Sequence, residues 1–210
     1  MALTPSESRQ NTTFPSSSGT AHGYLALPPS GRGPGVIVIR EWWGLDHIAG
    51  VCDRLAGEGF VALAPDLDGG TTSTTPRRPG GLMMELPVEQ AAADLGPSRR
   101  LPARARGRHL TTVGAVGFCM GGGFVLLLAA QQAAAVPSYG VGPAVPDTFK
   151  GLTAAVLGHY GERDDFYPAD QAARRSSRSA RSRGAEVTHY YDAGHAFTTP
   201  GTPSTTTRTR

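Results

Sequence analysis

Short, uninterrupted apolar runs bounded by Gly, Pro or Asp recur along the chain: Val36-Ile-Val-Ile39, Phe60-Val-Ala-Leu-Ala64 and the stretch from Val113 to Val116. Runs this brief and this uniformly apolar predict strands buried on both faces, as in a parallel sheet, rather than half-exposed alternating strands. Between the first two the period changes. Ile48, Val51 and Leu55 share one face, Asp46 stands where an N-cap belongs, and Gly57 and Gly59 close the segment, so a helix is expected there. Thr12 to Phe14 and Thr20 to Leu27 read as a hairpin around Ser16-Ser-Ser-Gly19, Glu85 to Leu95 as a further helix, and Leu152 to Leu157 and Glu186 to Asp192 as later strands. Strands alternating with helices predict an α/β fold with a mostly parallel central sheet and helices on both faces. Active sites in such folds lie beyond the carboxyl ends of the strands.

Three stretches follow neither period: Gly96 to His109, Ala172 to Arg183 and Thr198 to Arg210, dominated by Arg, Ser, Pro or Thr. They read as solvated loops and a frayed tail, with residues 1–11 and 198–210 poorly ordered. The sharper alternative is a displaced reading frame in an Arg- and Ala-rich coding sequence, because each stretch borders text that fits the fold. The loop from Leu67 to Gly81 is expected near the site.

At 210 residues the chain suits one domain spanning residues 1–210, large enough to bury roughly 70% of the surface its unfolded form exposes. The net charge of +3 raises nucleic-acid binding as a possibility. Five arginines fall in Gly96 to His109 and five in Ala172 to Arg183, so the basic character is local. Neither window interleaves aromatics for base stacking, which argues against a nucleic-acid partner. No stretch has the length and hydropathy of a membrane span, and the first residues lack the basic and apolar regions of a secretory signal. The only cysteines, Cys52 and Cys119, do not read as a disulfide. A cytoplasmic protein is expected.

Cys119 stands between a strand and a helix, in Gly117-Phe118-Cys119-Met120-Gly121. The GxCxG spacing has a steric cause: a nucleophile raised on a sharp strand-to-helix turn leaves no room for side chains two residues before and after it. The helix that follows aims free N–H groups at the site. The competing reading is a buried core cysteine among chance glycines. A free thiol is only a few per cent thiolate at neutral pH, so a catalytic one profits from a base, and the base from an orienting carboxylate. In an α/β-hydrolase the order is nucleophile, acid, histidine. Asp164 and Asp165 lie in Gly161-Glu-Arg-Asp-Asp-Phe-Tyr-Pro168 after a predicted strand, and Asp164 is preferred. His195 lies in Asp192-Ala-Gly-His-Ala-Phe197 after the last predicted strand, with His159 at a strand end as its competitor. Glu41, between an apolar strand and Trp42-Trp43, would be partly desolvated and suited to exchange a proton with a thiol. As a solvated loop residue or a partner of Arg40 it would have no such role. The backbone N–H groups of Met120 and Trp42 are the expected oxyanion-hole donors.

The segment VIVIREWWGLDHIAGVCDRLAGEGFVALAPDL from Val36 to Leu67, the GFCMGG elbow, GERDDFYP and DAGHAF, in this order, resemble the dienelactone hydrolase family of α/β-hydrolases. The resemblance covers most of residues 12 to 197. It implies Cys119 as nucleophile, Asp164 as acid and His195 as base, with Glu41 contacting the resting thiol and helping to switch its protonation when substrate binds. It implies hydrolysis of an ester or lactone through a thioester, on a small-molecule substrate, without metal or organic cofactor. The family's arginine a few residues after the histidine, which helps bind a substrate carboxylate, is missing: His195 is followed by Ala196, Phe197, Thr198 and Thr199. Arg77 or Arg78 would have to supply that cation, or a different ester specificity applies. Two other readings stand beside the hydrolase: a catalytically impaired family remnant, and a redox-responsive thiol protein without turnover. The oligomeric state has no signal in the sequence.

Overall fold

The computed structural model describes residues 10–16, 19–41, 45–66, 113–129, 134–140, 154–168, 186–199 and 207–209. The predicted helix from Glu85 to Leu95, the loop from Leu67 to Gly81 with Arg77 and Arg78, and the stretches Gly96 to His109 and Ala172 to Arg183 lie outside the described residues. The chain divides into two compact units, Met1–Thr111 and Thr112–Arg210.

In the first unit, β1 (Thr12–Ser16) and β2 (Gly19–Ala26) form the expected antiparallel hairpin, with Ser16 opposite Gly19. β2 continues antiparallel to β4 (Val61–Pro65), which lies parallel to β3 (Gly35–Ile39). Every residue of β3 and β4 is buried, as uniformly apolar runs require. Ile37, Val38 and Ile39 expose nothing, and each such side chain contributes about 1.5–3 kcal/mol through burial. Phe14 on β1 packs with Val61 and Leu63 on β4, flanked by Ala21 and Leu25. The helix α1 (Leu45–Gly57) packs against β2, β3 and β4. Its buried stripe is Ile48, Val51, Cys52 and Ala56, whereas Leu55, predicted on that face, is only half-buried. The helix already includes Leu45, so Asp46 belongs to the first turn, inside the predicted cap.

In the second unit, β5 (Val113–Phe118), β6 (Ala134–Ser138), β7 (Ala155–Gly161) and β8 (Glu186–Tyr191) are parallel neighbours in that order. β9 (Thr207–Thr209) adds antiparallel to β8, inside the tail where the pattern predicts no element. The helix α2 (Met120–Leu128) follows β5 directly and packs on β5 and β6. β6 is absent from the pattern reading. Its residues Ala134-Ala-Val-Pro-Ser138 extend an alanine run and carry Pro137, which weigh against a strand. β7 begins later than predicted and runs on to Gly161, through His159.

The junction after β6 is tightly built. A Cβ on Gly140 would stand 1.9 Å from the carbonyl oxygen of Cys119 and 3.0 Å from Cα of Gly122, both of them backbone atoms. Gly140→Ala is therefore expected to destabilise the protein by roughly 1–3 kcal/mol or more, because neither atom can move aside cheaply. Gly50→Ala in α1 is the control. Its Cβ would meet nothing within 4 Å, and the helix should gain about 0.5–1 kcal/mol. Thermal melts of the two variants should move in opposite directions.

Candidate active site

Cys119 is the residue between β5 and α2, and its backbone has φ 52° and ψ −118°. A non-glycine residue pays about 1–3 kcal/mol for such a conformation, so the surroundings must impose it. Those surroundings are visible: the Cys119 N–H donates to the Ser138 carbonyl at 3.0 Å, and the N–H groups of Gly122 and Gly123 donate back to the Cys119 carbonyl at 3.0 and 3.3 Å. A Cβ on Gly117 would lie 2.1 Å from the Gly121 carbonyl oxygen and 2.7 Å from Cγ2 of Val125. This is the close approach the GxCxG spacing implies. Met120 opens α2, so its N–H has no carbonyl partner within the helix. Trp42 lies outside the described residues.

The sulfur of Cys119 lies 3.1 Å from Nε2 of His195. Nδ1–H of His195 donates to Oδ2 of Asp164 at 2.8 Å. The other carboxylate oxygen, Oδ1, accepts the backbone N–H groups of Phe166 and Tyr167, both at 2.9 Å. Three donors thus satisfy a carboxylate whose side chain is wholly buried. Asp165 next to it is exposed, so of the two candidate acids Asp164 is the one joined to the imidazole. The loops carrying acid and base are fastened together. Arg163 N–H donates to the Ala193 carbonyl at 3.0 Å, and the Arg163 guanidinium reaches the Asp192 carbonyl at 2.9 Å.

Burial opposes the charged form of His195, but its hydrogen bonds to Asp164 and to Cys119, with their charges, more than offset that and raise its pKa to about 9. The site thus favours the ring's taking up and holding a proton. His159, the competing histidine, is engaged elsewhere: its Nδ1 pairs with the Tyr191 hydroxyl at 2.7 Å and its ring stacks on His189. Burial, and then the neighbouring His189, push its pKa below the ordinary value. Cys52, the other thiol, is fully buried in α1, and burial followed by the charge of Asp53 raises its pKa to about 12. It is chemically inert at neutral pH.

Glu41 directly follows β3 and Arg40 in the first unit, and it is buried, with 2% of its surface exposed. The solvated-loop alternative therefore does not apply. The Arg40 guanidinium donates to the Glu41 backbone carbonyl at 3.0 Å.

Pattern reading missed the aromatic surroundings of the histidine. Tyr139, Phe166 and Tyr167 have ring centroids 5.1, 4.9 and 5.6 Å from that of His195. Phe166 and Tyr167 fall within the GERDDFYP motif, but Tyr139 follows the unpredicted strand β6 and had no signal. Among the described residues, the non-glycine residues with positive φ are Cys119, Tyr139 and Ala196, and all belong to this site. Also among the described residues, no group of three or more His, Cys, Asp or Glu is gathered as a metal ion requires, and no helix is long and apolar enough to cross a membrane.

The family model of the dienelactone hydrolase family matches residues 21–209. A protein of Escherichia coli (strain K12), provisionally named carboxymethylenebutenolidase, is 35% identical over 92% of this chain and 79% of its own. One of Salmonella typhimurium with the same provisional name is 37% identical over 89% of this chain and 76% of its own. A crystal structure from Klebsiella pneumoniae, provisionally described as a dienelactone hydrolase, superposes with a TM-score of 0.77 at 34% identity, covering 93% of this chain and 90% of that one.

Proposed function

The chain belongs to the dienelactone hydrolase family, and from that premise we propose that it cleaves ester or lactone bonds by covalent catalysis, with Cys119 as nucleophile, His195 as base and Asp164 as the orienting acid. The observation that carries this reading is the continuous pair of contacts from Asp164 to His195 to the Cys119 sulfur, at 2.8 and 3.1 Å. His195 takes the proton of the Cys119 thiol as its sulfur attacks the carbonyl carbon of the substrate, and the negative charge that develops on the carbonyl oxygen falls to the N–H groups of Met120 and Trp42. Collapse of the tetrahedral intermediate breaks the carbon–oxygen bond. His195 gives its proton to the departing alkoxide, leaving a thioester on Cys119 and an alcohol, which in a lactone stays tethered.

Deacylation runs the same parts in reverse. Part of what raises the pKa of His195 is the sulfur itself, so acylation of Cys119 removes that support and frees the ring to act as a base toward water. Water then attacks the thioester, the acid leaves, and the proton returns to His195. Glu41, buried at the end of β3, is proposed to exchange a proton with the thiol when substrate binds. No cation stands among residues 196–199, which favours esters or lactones that need no carboxylate anchor at that position. The substrate is a small molecule and not a nucleic acid. A mechanism through a free thiol suits a reducing compartment such as the cytoplasm.

Rapid mixing with an activated aryl ester is expected to release a burst of phenol close to one equivalent per protein chain, followed by slower turnover. Acid quenching during the burst should leave the acyl group on the peptide containing Cys119. Alkylation of Cys119 without any burst would support the redox-thiol reading and overturn this one.

A further inference from the structure

We infer that Tyr139 is a positioning residue for His195, the side chain that holds the imidazole against tilting while Asp164 holds its Nδ1 end. The inference rests on the reading of His195 as the base.

Tyr139 is fully buried and follows the last residue of β6 with φ 36°, a costly conformation for a tyrosine. Two constraints enforce it. Its N–H donates to the His159 carbonyl at 2.7 Å, and the next residue, Gly140, lies against the Cys119 carbonyl. The resulting turn directs the ring into the loop after β8. There it meets His195 edge-on, with centroids 5.1 Å apart and planes at 73°, and Phe197 at 5.2 Å and 68°. Its hydroxyl pairs with Oγ1 of Thr198. One side chain therefore touches three of the residues from 195 to 198, and the remaining one, Ala196, carries a strained φ of 57°.

The hydrogen bond to Asp164 fixes one end of the imidazole but still permits rotation about that bond. A buried ring packed against the imidazole removes this freedom, as edge-to-face pairs do at about 0.5–1.5 kcal/mol each. Phe166 also lies beside His195, but it is 67% exposed and cannot be a rigid wall. Because Ser138 accepts the Cys119 N–H, the segment 138–140 touches both nucleophile and base.

Misplacing a reacting group by about 1 Å can cost on the order of 10²-fold in rate. Tyr139→Leu is therefore expected to lower kcat by about 10- to 100-fold with little change in KM. Tyr139→Phe, which keeps the ring, should restore most of that rate. The readout that a merely structural role would not move is the titration of the His195 ring followed by NMR. Its midpoint, raised in the wild type by Asp164 and by Cys119, should fall in Tyr139→Leu by the share that the contact of Nε2 with the Cys119 sulfur supplies. This measurement needs no turnover, so it tests the positioning role even if the protein proves to hydrolyse nothing. If Tyr139→Leu fails to fold, Thr198→Val removes the hydroxyl's partner at an exposed position and should shift the titration the same way by less. A folded Tyr139→Leu with wild-type kcat and an unshifted His195 titration would overturn the inference, as would an unshifted Thr198→Val where Tyr139→Leu cannot be made.

Discussion

Cys119→Ala is expected to reduce kcat/KM toward an activated aryl ester by roughly 10⁴-fold or more, leaving only the catalysis that binding and oxyanion donors supply without a nucleophile. The fold should survive. Alanine keeps the Cβ that the strained turn already accommodates, and the backbone bonds that impose φ 52° run through the Cys119 N–H and carbonyl, not through its side chain. The loss would then be chemical, visible as a wild-type circular dichroism spectrum with no burst. Cys52→Ala is the matching control, since that thiol is sealed in α1 with a pKa of about 12 and its removal should leave turnover intact. A folded Cys119→Ala that keeps more than a tenth of the wild-type rate would exclude Cys119 as the nucleophile.

The parts of this site that could be read in advance are those whose chemistry forces a local pattern. A nucleophile on a strand-to-helix turn needs small neighbours, and Gly117 and Gly121 supply them. The acid and the base must each follow a strand, and Asp164 and His195 stand in such motifs in the order of the fold. β3 and β4 were legible because strands buried on both faces must be uniformly apolar. Where burial and pattern part company, the reading fails. β6 lies in the interior of the second unit's sheet with the sequence Ala-Ala-Val-Pro-Ser, in which Val136 is the one β-branched residue and no apolar–polar alternation shows. Its strand state is set by neighbours on both sides rather than by its own residues. Tyr139 depends on that strand, so its place beside His195 was invisible too. Leu55 illustrates the same limit on a smaller scale: helical periodicity identifies a face, but the partners decide how deeply each residue on it is covered.

Asp164→Asn should cost about 10³- to 10⁴-fold in kcat, although the substitution changes no volume. The reason lies in counting donors. The two carboxylate oxygens of Asp164 accept three N–H groups, from Phe166, Tyr167 and His195, whereas an asparagine has one oxygen to offer. If that oxygen turns to the backbone pair, the amide NH₂ faces His195 Nδ1, the imidazole must take the other tautomer, and Nε2 can no longer accept a proton. If it turns to His195, two buried N–H groups lose their acceptor at roughly 1–3 kcal/mol each. The pH dependence separates this effect from simple damage. In the wild type the folded-state pKa of His195 is raised above 6.5 to about 9. The imidazolium's contribution to stability is therefore complete below about pH 6.5 and is lost as pH rises through about 9. Activity that needs the imidazolium to protonate the leaving alkoxide should decline over the same upper limb. Without the carboxylate, burial still disfavours the charged ring while its main support has gone, so both the alkaline limb of kcat/KM and the loss of stability should move to lower pH. Asp165→Asn, at the exposed neighbour, should move neither. An Asp164→Asn enzyme whose alkaline limb stays near pH 9 would mean that Asp164 does not govern the protonation of His195.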